Sequence, residues 1–387
     1  MAPKKNTDAH LTSLVVITVT VILTITFPSL SHEPKLSSST DQIPLPTIQP
    51  WSTLPKLIHL SYFNPESGKY NKGLDDFYFI GFWVLIWLSL REILMKLLWN
   101  PLGSMIGLAN SKLQRFSEQG WTLVYCTIFW CMGIKILCAY PEPILSFNIR
   151  QYWQGYPHTS LDGLSKFYYL SQIAFWFQQI IVLQIEKRRK DYYQMFTHHI
   201  VTAILVCGSY STNFTGIGTA VHTTMDLSDI LLAFAKMLNY MQVGPIGDAL
   251  FLVFVASWIY TRHYILFRII FSIYKYVPQD IEFIWDPSSG RLASHSLWLA
   301  FLGLLIALEV ILMIWLFMIF KVLWKVIRGH SPEDTRSDSE DTGDEEVGER
   351  KENYAKIRAS EKEPLLKALK TTGRSHQAST RAQQQQK

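Results

Sequence analysis

Apolar residues along this chain come in runs of the length a bilayer core requires, roughly 17–25 residues, rather than in the short alternations of a soluble fold. Residues 11–27, LTSLVVITVTVILTITF, follow Lys4 and Lys5 and predict a first span, although the run also suits a signal peptide with Ser29-Leu30-Ser31 as a weak cleavage site. Further spans are predicted at about 77–90, extended by the amphipathic REILMKLLW, and at about 121–139, 164–185, 192–211, 216–241, 249–274 and 297–320. The expected fold class is an all-α polytopic membrane protein with about eight transmembrane helices. It divides into an N-terminal segment with the first span and a loop (1–76), a transmembrane domain (77–328) and a polar tail (329–387).

Several of these spans carry groups that lipid does not tolerate. The fifth holds His198 and His199, and the sixth, VHTTMDLSDILLAFAKMLNY, holds His222, Asp226, Asp229, Lys236 and Tyr240. At about 100° per residue those five fall within roughly 80° of one another, one polar stripe on an apolar helix. Facing lipid, Asp226, Asp229 and Lys236 together would cost on the order of 8–10 kcal/mol. They are therefore expected to line a polar interior, either as a structural Asp–Lys tie between helices or as a reaction chamber. Gln172, Gln178 and Gln179 in the fourth span are expected to point into the same bundle. Arg262, His263 and Arg268 put further charge in the seventh.

Charge distribution orients the chain. The net charge of +5 is local: Lys and Arg cluster at 91–120 and in the run Lys187-Arg188-Arg189-Lys190, whereas 139–163 has Arg150 alone and 212–215 has none. By the positive-inside rule both termini are cytosolic, and basic runs confined to span flanks argue against nucleic acid as a partner. Asn213-Phe214-Thr215 is a formal glycosylation sequon on the lumenal side, hard against two spans and expected to go unused. Past His330 the tail is too polar to fold. Its Ser337 and Thr342 each precede an acidic residue by three positions, a pattern that suits regulation by phosphorylation. Cys126, Cys131, Cys138 and Cys207 lack the spacing of a zinc or redox site.

Adjacent helical residues diverge by about 100°, so His198 and His199 cannot both aim at one centre. One is expected to react, as nucleophile toward an activated acyl group or as general base, and the other to orient. Asp226 or Asp229 could hold the tautomer and stabilise the imidazolium. A di-metal site would need more histidines at three- and four-residue spacings, so no metal is expected. The KRRK run stands where an anionic head such as that of coenzyme A would arrive, and would equally serve as an orientation signal.

The stretch Tyr156–Tyr240, with RRKDYYQMFTHHIVT and MDLSDILLAFAKMLNY, resembles the core of the ceramide synthases, the longevity-assurance family within the TLC group of membrane proteins. The likeness continues through SWIYTRHYILFRII and back to KGLDDFYFI, covering roughly 55–325, and Thr224-Met225-Asp226 is similar to the fungal branch. The resemblance implies a six-to-seven-helix TLC-type bundle in the endoplasmic reticulum membrane. It implies transfer of an acyl group, often very long, from acyl-CoA to the amine of dihydrosphingosine or phytosphingosine, with no cofactor beyond acyl-CoA as co-substrate. Catalysis would rest on His198, His199, Asp226 and Asp229, with His198 assigned as nucleophile. Lys187, Arg188, Arg189, Lys190, His222, Lys236, Tyr240 and Arg262 are expected to bind substrate. A small single-span accessory subunit and a homo- or heterodimer are also implied. The alternative is a non-enzymatic TLC protein that binds lipid or assists cargo.

Overall fold

The computed structural model describes residues 54–108, 110–142, 148–186 and 188–328. The first predicted span, Lys187 and the tail with Ser337 and Thr342 lie outside them. Helix α1 (Leu54–Ile58) leads into the hairpin β1–β2 (Phe63–Asn64 and Lys69–Tyr70), turned at Gly68, whose φ of +66° suits a residue without Cβ. Helix α2 (Asp76–Leu94) runs through a π-helical turn at Met95–Trp99 into α3 (Asn100–Met105), which carries Pro101 at its second position. Then come α4 (Asn110–Leu137), a 3₁₀ turn at Ile149–Tyr152, α5 (Gly163–Ile185), α6 (Tyr192–Ser211) and α7 (Thr215–Tyr240). Helix α8 (Gly244–Trp258) passes through a π-helical segment, Ile259–Ile265, into α9 (Leu266–Asp280). A second hairpin, β3–β4 (Trp285–Asp286 and Arg291–Leu292), precedes α10 (His295–Ile327), which Ser294 caps by accepting from the Leu297 N–H at 3.1 Å.

Among the described residues, four segments are long and apolar enough on their own to cross a membrane: Asp76–Met105, Lys112–Leu137, Ile246–Asp280 and His295–Ile327. Helices α5, α6 and α7 match the predicted fourth to sixth spans in position but are diluted by polar residues that the bundle buries. Gln172 and Gln178 are both buried on α5, and Gln172 Oε1 accepts from Tyr125 OH at 2.9 Å. As expected, REILMKLLW extends the second span, as the end of α2 and the π-helical turn, with Arg91 and Glu92 buried in an ion pair at 3.0 Å. One expectation needs correcting: the third span starts some ten residues before residue 121, so that most of the connection at 91–120 is helix, with Ser117 and Glu118 buried against Asn100 and Arg189.

Two aromatic-rich cores fill the bundle. One, from α2, α4, α5 and α6, stacks Trp87, Tyr125, Phe129 and Phe175, with Tyr125 and Phe175 nearly parallel. The other, from α7 to α10, buries Phe254, Trp258, Ile269, Leu312 and Trp315. Helix α4 packs tightly on α7 at Gly133, where a Cβ would meet Thr223 Oγ1 at 2.2 Å; such small-residue contacts let membrane helices approach. Outward-facing Leu299, Ile306, Val310, Met313 and Phe317 give α10 an apolar exterior suited to lipid.

At the hairpin end of the bundle a buried polar network ties the elements together. Lys166, fully buried at the start of α5, pairs with Asp76 Oδ1 at 2.7 Å and donates to the Ser61 and Asn71 carbonyls. Asp76 Oδ2 accepts from Tyr210 OH at 2.8 Å, fastening the last turn of α6 to the first turn of α2. Backbone bonds between Tyr70 and Leu161 fix β2 against the approach to α5. Asn213 accepts from Lys72 at 2.8 Å and donates to the Gly290 carbonyl at 2.9 Å, joining the two hairpins.

Candidate active site

An apolar cavity runs through the middle of the bundle. Its polar end is formed by His198 from α6, His222, Asp226 and Asp229 from α7, and Arg262 from the π-helical segment. Its walls are apolar side chains such as Leu205, Ile217, Val221 and Leu308, and its far end lies against Phe283, Ala293, Ser294 and Trp298 near the second hairpin. From His198 to Ser209, both lining it, α6 rises roughly 17 Å at 1.5 Å per residue. Such a shape, apolar over most of its length with a few convergent polar groups at one end, is that of a binding site for a long apolar ligand with a reactive head.

The local reason for the polar end is helical phase. His222, Asp226 and Asp229 stand at i, i+4 and i+7 and share one face of α7. His198 lies six residues into α6, about 9 Å from its first residue. Trp176 of α5 organises the imidazoles, its ring lying 5.6 Å from that of His198, 5.5 Å from His199 and 6.2 Å from His222. Trp315 of α10 closes on His198 from the other side at 5.1 Å. His199, as the divergence of neighbours requires, turns away from the cavity and is buried behind it.

Hydrogen bonding separates the two aspartates. Asp229 Oδ1 pairs with Arg262 Nη2 at 2.6 Å. Arg262 is itself held by Ser228 Oγ at 2.7 Å, by the Met225 carbonyl at 3.1 Å and over the Trp258 ring at 4.2 Å. Asp226 Oδ2, His198 Nδ1 and His199 Nδ1 are sealed from solvent with no hydrogen-bond partner among the described residues. Buried polar atoms without a partner are costly, and each calls for a bond that the neighbouring side chains do not supply.

Of the residues singled out from sequence, the structure brings His198, His222, Asp226, Asp229 and Arg262 to one chamber. Lys236 and Tyr240 continue the stripe toward the other end of α7 and do not line it. Of the basic run, Arg188, Arg189 and Lys190 are exposed at the end of the bundle opposite the hairpins. Arg188 stacks over Tyr192 at 4.8 Å, and Arg189 pairs with Glu118 at 2.6 Å and approaches Glu186 at 4.0 Å. Glu186 also holds Arg91. Sequence reasoning missed Trp176, Ser228 and Trp258, which carry no charge to mark them. No three His, Cys, Asp or Glu side chains among the described residues converge as a metal site would need.

Residues 115–321 match the TLC domain. The chain is 39% identical to the sphingosine N-acyltransferase lag1 of Schizosaccharomyces pombe, over 78% of this chain and 76% of that protein. It is 37% identical to a sphingosine N-acyltransferase-like protein of Alternaria alternata over 73% and 72% of the two chains. With the ceramide synthase LAG1 of Saccharomyces cerevisiae the identity is 33%, over 76% and 72%. The likeness spans the helices that build the chamber and is shared with relatives of one kind, and the chain belongs to the TLC-domain family, among its sphingosine N-acyltransferases.

Proposed function

We propose that this protein transfers a fatty acyl group from acyl-CoA to the amine of a sphingoid base, dihydrosphingosine or phytosphingosine, giving the corresponding ceramide. The observation that carries the reading is His198 and Asp226 facing one long apolar cavity. The acyl chain, very long in this reading, lies along the cavity toward the second hairpin. The coenzyme A head stays at the mouth near Arg188, Arg189 and Lys190, with Lys187 in the same run, and no cofactor is needed beyond acyl-CoA.

His198 attacks the thioester carbonyl; the C–S bond breaks, coenzyme A leaves as thiolate, and an acyl-imidazole forms. The amine of the base, after giving a proton to a nearby acceptor, attacks the acyl carbon and returns the imidazole. The open Oδ2 of Asp226 supports that residue as acceptor, whereas the bond from Arg262 to Asp229 supports a positioning role for Asp229. His199 and His222 hold the first imidazole in place through Trp176. The protein works in the endoplasmic reticulum membrane as an eight-span bundle with both termini cytosolic, alongside a single-span accessory subunit and as a homo- or heterodimer.

Membranes carrying the chain, with and without such a subunit, should N-acylate labelled dihydrosphingosine, and His198→Ala and Asp226→Ala should each abolish this at normal protein levels. Intact-mass analysis after incubation with acyl-CoA alone should find an acyl adduct that His198→Ala removes. Turnover without an adduct would make His198 a general base for direct transfer. No turnover with any acyl-CoA would leave a lipid-binding TLC protein.

A further inference from the structure

A second ionisable pair lies at membrane depth outside the chamber. His263, in the π-helical segment, meets Glu309 of α10 with Nδ1 2.7 Å from Oε1. Glu309 is the single acidic residue of α10, roughly 21 Å of helix from its start and 27 Å from its end, where a carboxylate is costly and calls for a functional reason. π-Helical insertions inside longer helices are themselves frequent at functional sites.

The bonding pattern of the pair shows what it can accept. His263 Nδ1 and Glu309 Oε1 share one hydrogen bond, and each group keeps a second polar atom, His263 Nε2 and Glu309 Oε2, outside it. Glu309 Oε2 and His263 Nε2 are both buried with no partner among the described residues. The dyad thus keeps two unused polar atoms, one on each side chain. Its position fits a route from the bilayer: Tyr260, Tyr264, Ile306, Val310 and Met313 beside it are exposed on the outer surface, while Arg262 and Leu308, the residues immediately preceding each member, line the cavity.

We infer that the His263–Glu309 dyad is a lateral docking site for the head of the long-chain base, gripping it as it passes from the bilayer between α10 and the π-helical segment. The ammonium donates to Glu309 Oε2 and a neighbouring hydroxyl donates to His263 Nε2. A 2-amino-1,3-diol supplies both donors, whereas acyl-CoA supplies no cation. Admission needs the exposed neighbours of the dyad, such as Tyr264 and Val310, to change rotamer, a motion fast at an exposed surface. The inference rests on the acyltransferase reading for the identity of its ligand, but concerns binding alone.

The test uses the full chain in nanodiscs, wild type, Glu309→Gln and His263→Gln, with a fluorescent N,N-dimethyl sphingoid base, a cation that cannot become an amide. Loss of the charge-assisted bond should weaken its binding roughly tenfold or more in Glu309→Gln, and an N-acetyl analogue should bind all three proteins equally weakly. In turnover, KM for the base should rise by the same factor while KM for acyl-CoA stays within about twofold. Unchanged binding of the cationic probe to Glu309→Gln, or equal rises in both KM values, would leave the dyad a purely structural tie and overturn the inference. Wild type that binds the probe through Glu309 but acylates nothing would instead count against the acyltransferase reading.

Discussion

The buried pair Lys166–Asp76 gives a test of how the hairpin end holds α6, the helix of His198. Lys166 is 0% exposed and Asp76 4% at the side chain, and Nζ lies 2.7 Å from Oδ1. Lys166→Met keeps most of the side-chain volume but strands the carboxylate and frees the carbonyls of Ser61 and Asn71. Breaking a buried pair from one side costs about 3–5 kcal/mol, which for a domain of this size lowers the melting temperature by about 6–20 °C. Removing both charges as Asp76→Asn/Lys166→Met should cost less than the sum of the single changes, because no isolated charge remains buried. Heating detergent-solubilised protein and following the monodisperse fraction by size exclusion would measure all four proteins of the cycle. Because Asp76 also receives Tyr210 OH from α6, the Lys166→Met loss should be accompanied by loss of acylation below the melting temperature. A single variant within about 2 °C of wild type, or a double variant as damaged as the sum of the two, would refute a desolvated ion pair as the fastening.

Further predictions follow from the same end of the molecule and from the cavity. Burial pushes the Lys72 ammonium down to about 7, with the nearby Lys166 charge adding to the effect and Asp76 opposing it. The unfolded chain then binds more protons between about pH 7 and the ordinary lysine range, so stability should rise with pH through that window; Lys72→Met should flatten the slope of melting temperature against pH. Asn213 is buried and bonded on both faces of its amide. Glycosidase treatment should leave the mobility of the expressed protein unchanged. Ala293 lines the far end of the cavity and is 3% exposed, so Ala293→Trp should shift the ceramides formed toward shorter acyl chains, read by lipid mass spectrometry across a series of acyl-CoA lengths.

Helices α2, α4 and α10 and the α8–α9 run were legible because each contains an apolar run of bilayer length, and the stripe on α7 because its period matches the helix. The same cue misplaced the start of α4: Gln114, Arg115, Ser117 and Glu118 read as a loop in isolation, yet Glu118 takes Arg189 and Ser117 Oγ donates to Asn100 at 2.6 Å, so the polar turn is helical by virtue of partners remote in sequence. Within the site, charge marked His198, Asp226, Asp229 and Arg262, but only packing could distinguish His198 at the cavity from His199 behind it. Lys236 and Tyr240 share the phase of the stripe without sharing the chamber, since phase fixes direction and not depth. Glu309 was passed over inside the most apolar helix, where its partner His263 lies 46 positions away.

Trp176 makes the imidazoles of two helices a single mechanical unit. Three rings rest on one indole, so no histidine among His198, His199 and His222 can be re-aimed by a change at position 176 without moving the other two. Natural drift or redesign of this site is therefore constrained in blocks: a new geometry for the reacting head has to be reached by substituting the indole and its dependants together, while the apolar walls farther along the cavity remain free to vary one residue at a time.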